Sequence, residues 1–335
     1  QMCIRDRPTA ALTERETEKR FAVMHALKDK GVAIVYISHR MEEVFAHCDT
    51  ITVMRDGYAI SSKPTRETNM EQVVRDMVGR SITEYYPGRT NEPGEIVLEV
   101  KNFCQDGLFN NISFKLRKGE ILGVAGLMGA GRTEIMRALF GVDSCKHGEV
   151  YLHGKKVCIK KPEDAIKAGI GFITENRKSE GLILDFSISR NIALPSVDTF
   201  AKRSVINAKN ETAFSEALSK KLGVKTASID LEAGALSGGN QQKVVIAKWI
   251  GMNPSIIIMD EPTRGIDVGA KRDIYDLMNE LTSQGVAIIM VSSELPEVIG
   301  MSDRILVIHE GKIAGELDHE EATQEKIITL ATGGQ

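Results

Sequence analysis

The chain has 335 residues, 42% of them hydrophobic and 27% charged, with a formal net charge of −3. That length suits two domains of roughly 150 residues each, in an ordinary globular composition without signs of disorder. The acidic balance offers no basic footprint and argues against a nucleic-acid partner. Cys3, Cys48, Cys104, Cys145 and Cys158 are scattered, without C-x-x-C or paired-His spacing, and read as free thiols of a reducing cytosol. No apolar run approaches the ~20 residues of a membrane-spanning helix, and residues 1–7 are too short and too charged for a signal peptide.

In chain order, residues 9–30 are expected to be helical. Thr13 and Glu16 form a capping box, and Phe21, Met24, Ala26 and Leu27 supply an apolar face. Gly31 closes that helix, residues 32–37 read as a buried strand ending in Ser38-His39, and a short acidic helix over 41–46 leads to a strand at 49–54 and the turn Asp56-Gly57. Residues 79–95 contain five Gly or Pro and little apolar periodicity, as a linker does. Strands are expected at 96–101, 112–116, 121–125, 149–152 and 169–174, with a helix from Thr133 to Phe140. An amphipathic helix over 207–222 places Ala213, Phe214, Ala217, Leu218 and Leu222 on one face.

The stretch Gly31-Val-Ala-Ile-Val-Tyr-Ile-Ser38 returns as Gly285-Val-Ala-Ile-Ile-Met-Val-Ser292, an offset of 254 residues. At that offset Glu43, Val44, Asp49, Ile51, Val53 and Gly57 meet Glu297, Val298, Asp303, Ile305, Val307 and Gly311 without a gap. The period is a whole domain, so the chain holds two related domains, of which the first is expected to be represented by about its last 80 residues. The boundaries are 1–78 for that C-terminal part, 79–95 for the linker and 96–335 for a complete second domain. At the same offset Asp260-Glu261-Pro262-Thr263 faces Asp6-Arg7-Pro8-Thr9, and a buried strand bearing Arg5 is unexpected. Residues 1–7 therefore read as foreign sequence, with divergence of this domain as the alternative.

Gly126, Leu127, Met128, Gly129, Ala130, Gly131, Arg132 and Thr133 have the spacing of a phosphate-binding loop between a strand and a helix. Inward-turned N–H groups and the helix N-terminus would hold an anionic polyphosphate; the alternative is a glycine-rich turn without a ligand. The basic position is Arg132 rather than lysine. The apolar run 255–259 delivers Asp260 and Glu261 to a strand end, the edge where open α/β sheets bind ligands. Asp260 is placed to hold Mg²⁺ through water while the Thr133 hydroxyl ligates it, and Glu261 to polarise the water that attacks the γ-phosphate. The alternative, an acidic cap on the next helix, suits Asp267 better. Leu236, Ser237, Gly238, Gly239, Asn240 and Gln241 precede a helix beginning at Lys243 and form a second anion nest, or a simple N-cap. Trp249 reads as core packing.

Taken together, Gly-Leu-Met-Gly-Ala-Gly-Arg-Thr, Leu-Ser-Gly-Gly-Asn-Gln and Asp260-Glu-Pro-Thr-Arg-Gly-Ile-Asp267 resemble the Walker A, signature, and Walker B with D-loop of the ATP-binding cassette family, over the whole chain from about Pro8. More narrowly, Thr174-Glu-Asn-Arg-Lys178 and Val291-Ser-Ser-Glu-Leu-Pro-Glu297 look like the tandem ATPase subunits of bacterial monosaccharide importers, of the ribose or galactose/methylgalactoside types, with Leu330-Ala-Thr-Gly-Gly-Gln and Tyr85-Tyr-Pro tilting toward ribose. The resemblance implies an α/β P-loop NTPase fold with a central mostly parallel sheet, an antiparallel β subdomain and a helical subdomain, preceded by the C-terminal part of a first such domain. It implies ATP and Mg²⁺ as ligands, membrane permease subunits as partners, an extracytoplasmic sugar-binding protein as an indirect one, and a peripheral place on the cytoplasmic face of the plasma membrane. In that family two cassettes close on ATP, so the signature around Ser237 would serve the Walker A of the first domain, and Asp267, ending the D-loop, would count among the ATP-binding residues. His39 matches the switch histidine of the first cassette, and Ser293 takes that place in the second, able neither to carry charge nor to relay a proton. Glu175 stands where the family has a glutamine that meets Mg²⁺, adding negative charge beside the phosphates. Arg132, Ser293 and Glu175 together imply that the second site turns ATP over slowly. A soluble tandem cassette acting on ribosomes or nucleic acid, and a nucleotide-binding regulator without turnover, are the alternatives; the short linker and acidic balance disfavour the first, and Glu261 the second.

Overall fold

The computed structural model describes residues 2–6, 14–38, 41–55, 58–78, 86–88, 91–202 and 205–334. The chain folds as two compact units, residues 1–85 with 265–272 and residues 86–264 with 273–335. Thr13 of the expected capping box, the turn Asp56-Gly57 and most of the expected linker lie outside the described residues.

In the first unit a helix over Glu14–Asp29 ends at Gly31, whose φ of +80° lets the chain reverse and whose N–H donates to the Lys28 carbonyl at 2.8 Å. Phe21 is buried, Met24 and Leu27 are half-buried, and Ala26, assigned to the same face by periodicity, is exposed. Strand Ala33–Ile37 pairs in parallel with Met2–Asp6, and Thr50–Arg55 forms an antiparallel hairpin with Tyr58–Pro64. The register Met2↔Ala33 reproduces Ile256↔Ala287 at the repeat offset of 254 residues. The backbone of residues 2–6 thus occupies the repeat's strand position, although the sequence suggests foreign residues there. Helices Met41–His47 and Met70–Val78 accompany a small core of Val44, Ile51, Val53 and Val73.

The second unit is built on a six-stranded sheet in the order Ile170–Ile173, Ile256–Asp260, Ala287–Val291, Ile121–Gly126, Arg304–His309 and Lys312–Asp318. All neighbours are parallel except the last pair. The inner strands are nearly continuous apolar runs because both faces are covered, as parallel strands require. A four-stranded antiparallel sheet (Phe109–Arg117, Ile96–Gln105, His147–Leu152, Lys155–Val157) forms a second subdomain. Helices Ile188–Ala193, Ala208–Lys221 and Gly238–Ile250 pack on one another as a third. These are the subdomains that the sequence implies.

The helix expected at 207–222 is Ala208–Lys221, capped by the Asn207 side chain, which accepts from the Asn210 N–H. Of the expected face Leu222 is buried and Phe214 and Leu218 are half-buried, whereas Ala213 and Ala217 are exposed and Ser215 and Ser219 are buried beside it. The Ser215 hydroxyl donates to the Ser189 carbonyl at 3.0 Å, so a small hydroxyl satisfies itself against the neighbouring helix where periodicity alone favours carbon.

The repeat exposes a contrast in strand number. In the second unit Ile121–Gly126 lies between Ala287–Val291 and Arg304–His309. The first unit's equivalents, Ala33–Ile37 and Thr50–Arg55, instead border a cleft of about 960 Å³ that includes Val35, Ile37, Ile51 and Val53 in its lining. Val35 and Ile37 are 42% and 47% exposed, unusual for a parallel-strand segment.

Candidate functional site

The glycine loop follows the buried strand Ile121–Gly126 and leads into helix Arg132–Phe140. Two of its glycines have no alternative. A Cβ on Gly126 would stand 2.5 Å from the Ile308 carbonyl oxygen, and Gly131 has φ +100° with Leu108 O and Gly311 Cα each 3.3 Å from a Cβ there. Gly311 N–H donates to the Ala130 carbonyl at 2.8 Å, which pins the loop to the turn following Arg304–His309. Gly131 caps the helix, so the positive end of its dipole faces the loop. Leu127 and Met128 project outward, 51% and 98% exposed.

Asp260 ends the buried strand Ile256–Asp260 and is itself 0% exposed. Neither of its carboxylate oxygens has a hydrogen-bond partner among the described residues. Burial pushes its carboxyl up to about 6, against the pull of the nearby Thr133 hydroxyl and the Arg132 charge. An unpartnered buried carboxylate is costly unless another group supplies the missing charge. Beside it is a cavity of about 60 Å³, lined by Thr133, Asp260, Thr174, Glu175 and Glu180 among others. Hard oxygen donors with room for water beside them fit Mg²⁺, which prefers one or two carboxylates and keeps part of its hydration shell.

Glu261, the next residue, has φ +49°, and its N–H donates to the Val291 carbonyl at 2.8 Å. Its Oε2 accepts from Ser293 Oγ at 3.1 Å, and its Oε1 lies 3.8 Å from Arg132 Nη2. Burial pushes this carboxyl up to about 7; Arg132 and the Ser293 hydrogen bond oppose that shift, while Asp260 and Glu297 add to it. A buried carboxylate of raised basicity, oriented by a hydroxyl, has the character of a general base. Arg132 is held on its other side too, Nη1 donating to the Ser292 carbonyl at 2.7 Å.

Glu175 forms an ion pair with Arg264, so the charge expected beside the phosphates already has a partner. Arg264 is anchored in turn: its N–H donates to the Glu261 carbonyl at 3.1 Å, and its own carbonyl accepts from Arg177 Nη1 at 2.7 Å. Arg264 lies inside the sequence motif, but nothing in the spacing marks it as the partner of Glu175. Asp267 accepts from the Ala270 N–H at 2.9 Å and so caps the following helix.

The signature residues gather elsewhere in the same unit. Ser237 is the N-cap of Gly238–Ile250, which starts earlier than the expected Lys243 and takes in the glycines themselves. Ser237 Oγ accepts from Asn240 Nδ2 at 3.0 Å, and Asn240 Oδ1 accepts from the Lys225 N–H at 2.8 Å. Ser237 is exposed, Leu236, Gly238 and Asn240 are half-buried, and Gly239 is buried. Gln241 is buried as well, donating to the Ala233 carbonyl at 3.3 Å; in this conformation it braces the loop instead of facing a ligand. Trp249 packs edge-on against Phe140, as core. His39 lies outside the described residues.

A family model described as ABC transporter matches residues 109–264. Over 335 residues the chain is 61% identical to the ribose import ATP-binding protein RbsA of Bacillus licheniformis, covering 100% of this chain and 68% of that protein. Against the protein of the same name from Bacillus subtilis the identity is 62%, with the same coverage, 100% and 68%. Among solved structures, the ADP conformation of MJ1267, an ATP-binding cassette of an ABC transporter, is similar with a TM-score of 0.60 and 23% identity, covering 71% of this chain and 99% of that one.

Proposed function

The chain belongs to the ATP-binding cassette transporter ATPase family, and from that premise we propose that it is an ATP-hydrolysing subunit of a bacterial importer for a simple sugar, ribose. The carrying observation is the strand-end cluster: an unpartnered Asp260 carboxylate beside the Thr133 cavity, and Glu261 oriented by Ser293. Whole-chain similarity to ribose import ATP-binding proteins supports the sugar.

In this reading the N–H groups of residues 126–133 and the Arg132 cation bind the phosphates of ATP. Thr133 and Asp260 hold Mg²⁺, which neutralises phosphate charge when bound. Glu261 accepts a proton from the attacking water, with Ser293 holding its carboxylate. Ser237 and its glycines present hydroxyl and N–H donors to ATP on a second cassette, and the exposed Leu127 and Met128 suit closure against that cassette. The site of this chain is the slower one of the pair, because Arg132 is engaged with Glu261 and the Ser292 carbonyl.

Residues 1–78 represent the C-terminal part of the partner cassette in the same polypeptide, and the cleft between Ala33–Ile37 and Thr50–Arg55 takes one parallel strand of the Ile121–Gly126 kind. Permease subunits dock on the helical subdomain, where Ile183, Phe186 and Leu231 are 41%, 39% and 45% exposed. Phe186 and Leu231 are brought together by the bonds Ala233 N–H to Phe186 O and Ile188 N–H to Leu231 O, both 2.9 Å. Among the described residues no helix is long and apolar enough to cross a membrane, so attachment at the cytoplasmic face would come through the permease, with the sugar-binding protein reached indirectly.

The test joins three measurements on the purified chain. It is expected to bind MgATP, to co-purify with a ribose-type permease, and to hydrolyse ATP only slowly by itself. Robust turnover that Glu261→Gln abolishes would overturn the slow-site reading. Loss of permease capture despite intact MgATP binding would overturn the importer reading.

A further inference from the structure

Glu297 is a buried carboxylate, 1% exposed, whose part so far is only that of a negative charge near Glu261. It lies in the first turn of helix Leu295–Met301. The Thr263 hydroxyl donates to its Oε1 at 2.7 Å and the Ser292 hydroxyl donates to its Oε2. Ser292 Oγ in turn accepts from the Glu294 N–H at 3.0 Å. Thr263 and Ser292 are 2% and 0% exposed, so water does not replace these bonds.

The chain positions of these partners give the carboxylate its meaning. Thr263 lies two residues after Glu261, in the turn leaving strand Ile256–Asp260. Ser292 follows strand Ala287–Val291; its carbonyl receives Arg132, and the next residue, Ser293, donates to Glu261. One carboxylate therefore ties together the two strand-end turns whose side chains meet at Glu261. Charge-assisted bonds to a buried carboxylate are short and directional, and removing the acceptor leaves two buried hydroxyls without it. The repeat supplies an independent observation. At the offset of 254 residues Thr263, Ser292 and Glu297 meet Thr9, Ser38 and Glu43, identical at all three positions, although Ser293 meets His39. The trio is retained in sequence although both residues it would position, Glu261 and Ser293, meet different ones, Arg7 and His39.

We propose that Glu297 is a positioning residue for ATP hydrolysis, a clamp that sets the spacing of the Glu261 and Ser293 turns and so the aim of Glu261. This rests on the reading of the site as an ATPase. The clamp acts on the rate of the chemical step and leaves ATP binding, carried by the glycine loop, in place.

The experiment uses the full chain, with ATP in single-turnover hydrolysis at enzyme excess, MgATP affinity, thermal melting, and amide hydrogen exchange of the nucleotide-free protein. Glu297→Ala is expected to lower the rate about tenfold or more, as loss of charge-assisted bonds implies, with the MgATP Kd unchanged within about twofold. Exchange at residues 263–264 and 292–294 rises together, without a comparable rise elsewhere. Glu297→Gln, which accepts from one hydroxyl and donates to the other, restores most of the rate. Equal losses in the Gln and Ala variants, a Kd that moves with the rate, or unchanged exchange at either turn would each overturn the clamp. Thr263→Val, which removes one arm, covers the case in which Glu297→Ala does not fold, and must raise exchange at 263–264 while sparing the Kd. Absence of MgATP binding or of Glu261-dependent turnover in the unaltered chain would count against the ATPase reading instead, and the exchange measurement would still decide on the clamp.

Discussion

Arg132 Nη1 donates to the Ser292 carbonyl oxygen at 2.7 Å, so the cation of the phosphate loop is tied to the turn that follows the neighbouring strand. Its Nη2 lies 3.8 Å from Glu261, and both side chains are about nine-tenths buried, 10% and 11% exposed. A guanidinium serves both partners at once because its donors are arranged in a planar fork; an ammonium is a single point of charge. Arg132→Lys is therefore expected to give up the Ser292 or the Glu261 contact and to raise Glu261-dependent single-turnover hydrolysis by about three- to tenfold, the worth of one such contact. Rapid-quench measurement at saturating MgATP checks this. A rate unchanged or lowered, with ATP still bound, would refute a restraining role for Arg132.

Asp260 makes a second prediction, specific to the metal. Its carboxylate is buried with the Thr133 hydroxyl as its polar neighbour, so Asp260→Asn removes the negative charge and keeps an oxygen that Thr133 can meet. MgATP affinity should fall about tenfold, while affinity for ATP in chelator is unchanged or improved, since a like charge near the phosphates has gone. A fluorescent ATP analogue titrated with and without Mg²⁺ separates the cases. Equal weakening in both would assign Asp260 a structural part only.

The same two carboxyls give stability a pH dependence. Folding raises Asp260 from 3.8 to about 6 and Glu261 from 4.5 to about 7. Between the unfolded and folded values the native chain holds protons that the unfolded chain has released, so stability falls as pH rises through that window and levels off near neutrality. Each group contributes at most on the order of 3 kcal/mol. Urea unfolding of the nucleotide-free chain from pH 4.5 to 7.5 should show this decline relative to the Asp260→Asn, Glu261→Gln double variant. A constant difference between the two proteins across that range would mean that neither carboxyl is raised.

The site was legible in the sequence as far as it follows local spacing. Glycines 126, 129 and 131 announce a loop because only they tolerate its backbone, and the run before Asp260 announces a strand because parallel strands are apolar throughout. Partners that meet through the fold were not legible. Arg264 neutralises Glu175 across about ninety residues of chain, and Thr263 reaches Glu297 with nothing in either local pattern to say so. Periodicity found Phe214, Leu218 and Leu222 on the packed side of helix Ala208–Lys221 but missed Ser215 and Ser219, since it counts apolar residues and cannot see that a close helix neighbour accepts the Ser215 hydroxyl. Arg5 argued against a strand at the N-terminus, but the backbone pairing there keeps the repeat's register.

Lys248 yields the last prediction, away from the nucleotide. It is 7% exposed within helix Gly238–Ile250, its Nζ donates to the Gly181 carbonyl at 2.6 Å, and it lies 5.1 Å from the Trp249 ring centroid. Burial pulls its ammonium down from 10.5 to about 8. The native chain therefore gives up this proton before the unfolded chain does, and over roughly pH 8 to 10.5 the unfolded state binds more protons, so Lys248 makes stability rise with pH there. Lys248→Met keeps the length of the side chain and removes both the buried charge and the donor to Gly181. The variant should compare best with the original protein near pH 7, where the buried charge costs the original most, and fall behind by up to about 3 kcal/mol on moving to pH 10. Paired urea unfolding at the two pH values isolates this from the titration of other lysines and tyrosines, which both proteins share. A stability difference that stays the same at pH 7 and pH 10 would show that Lys248 keeps its proton in the folded chain, and that the Gly181 carbonyl holds it as an ordinary ammonium.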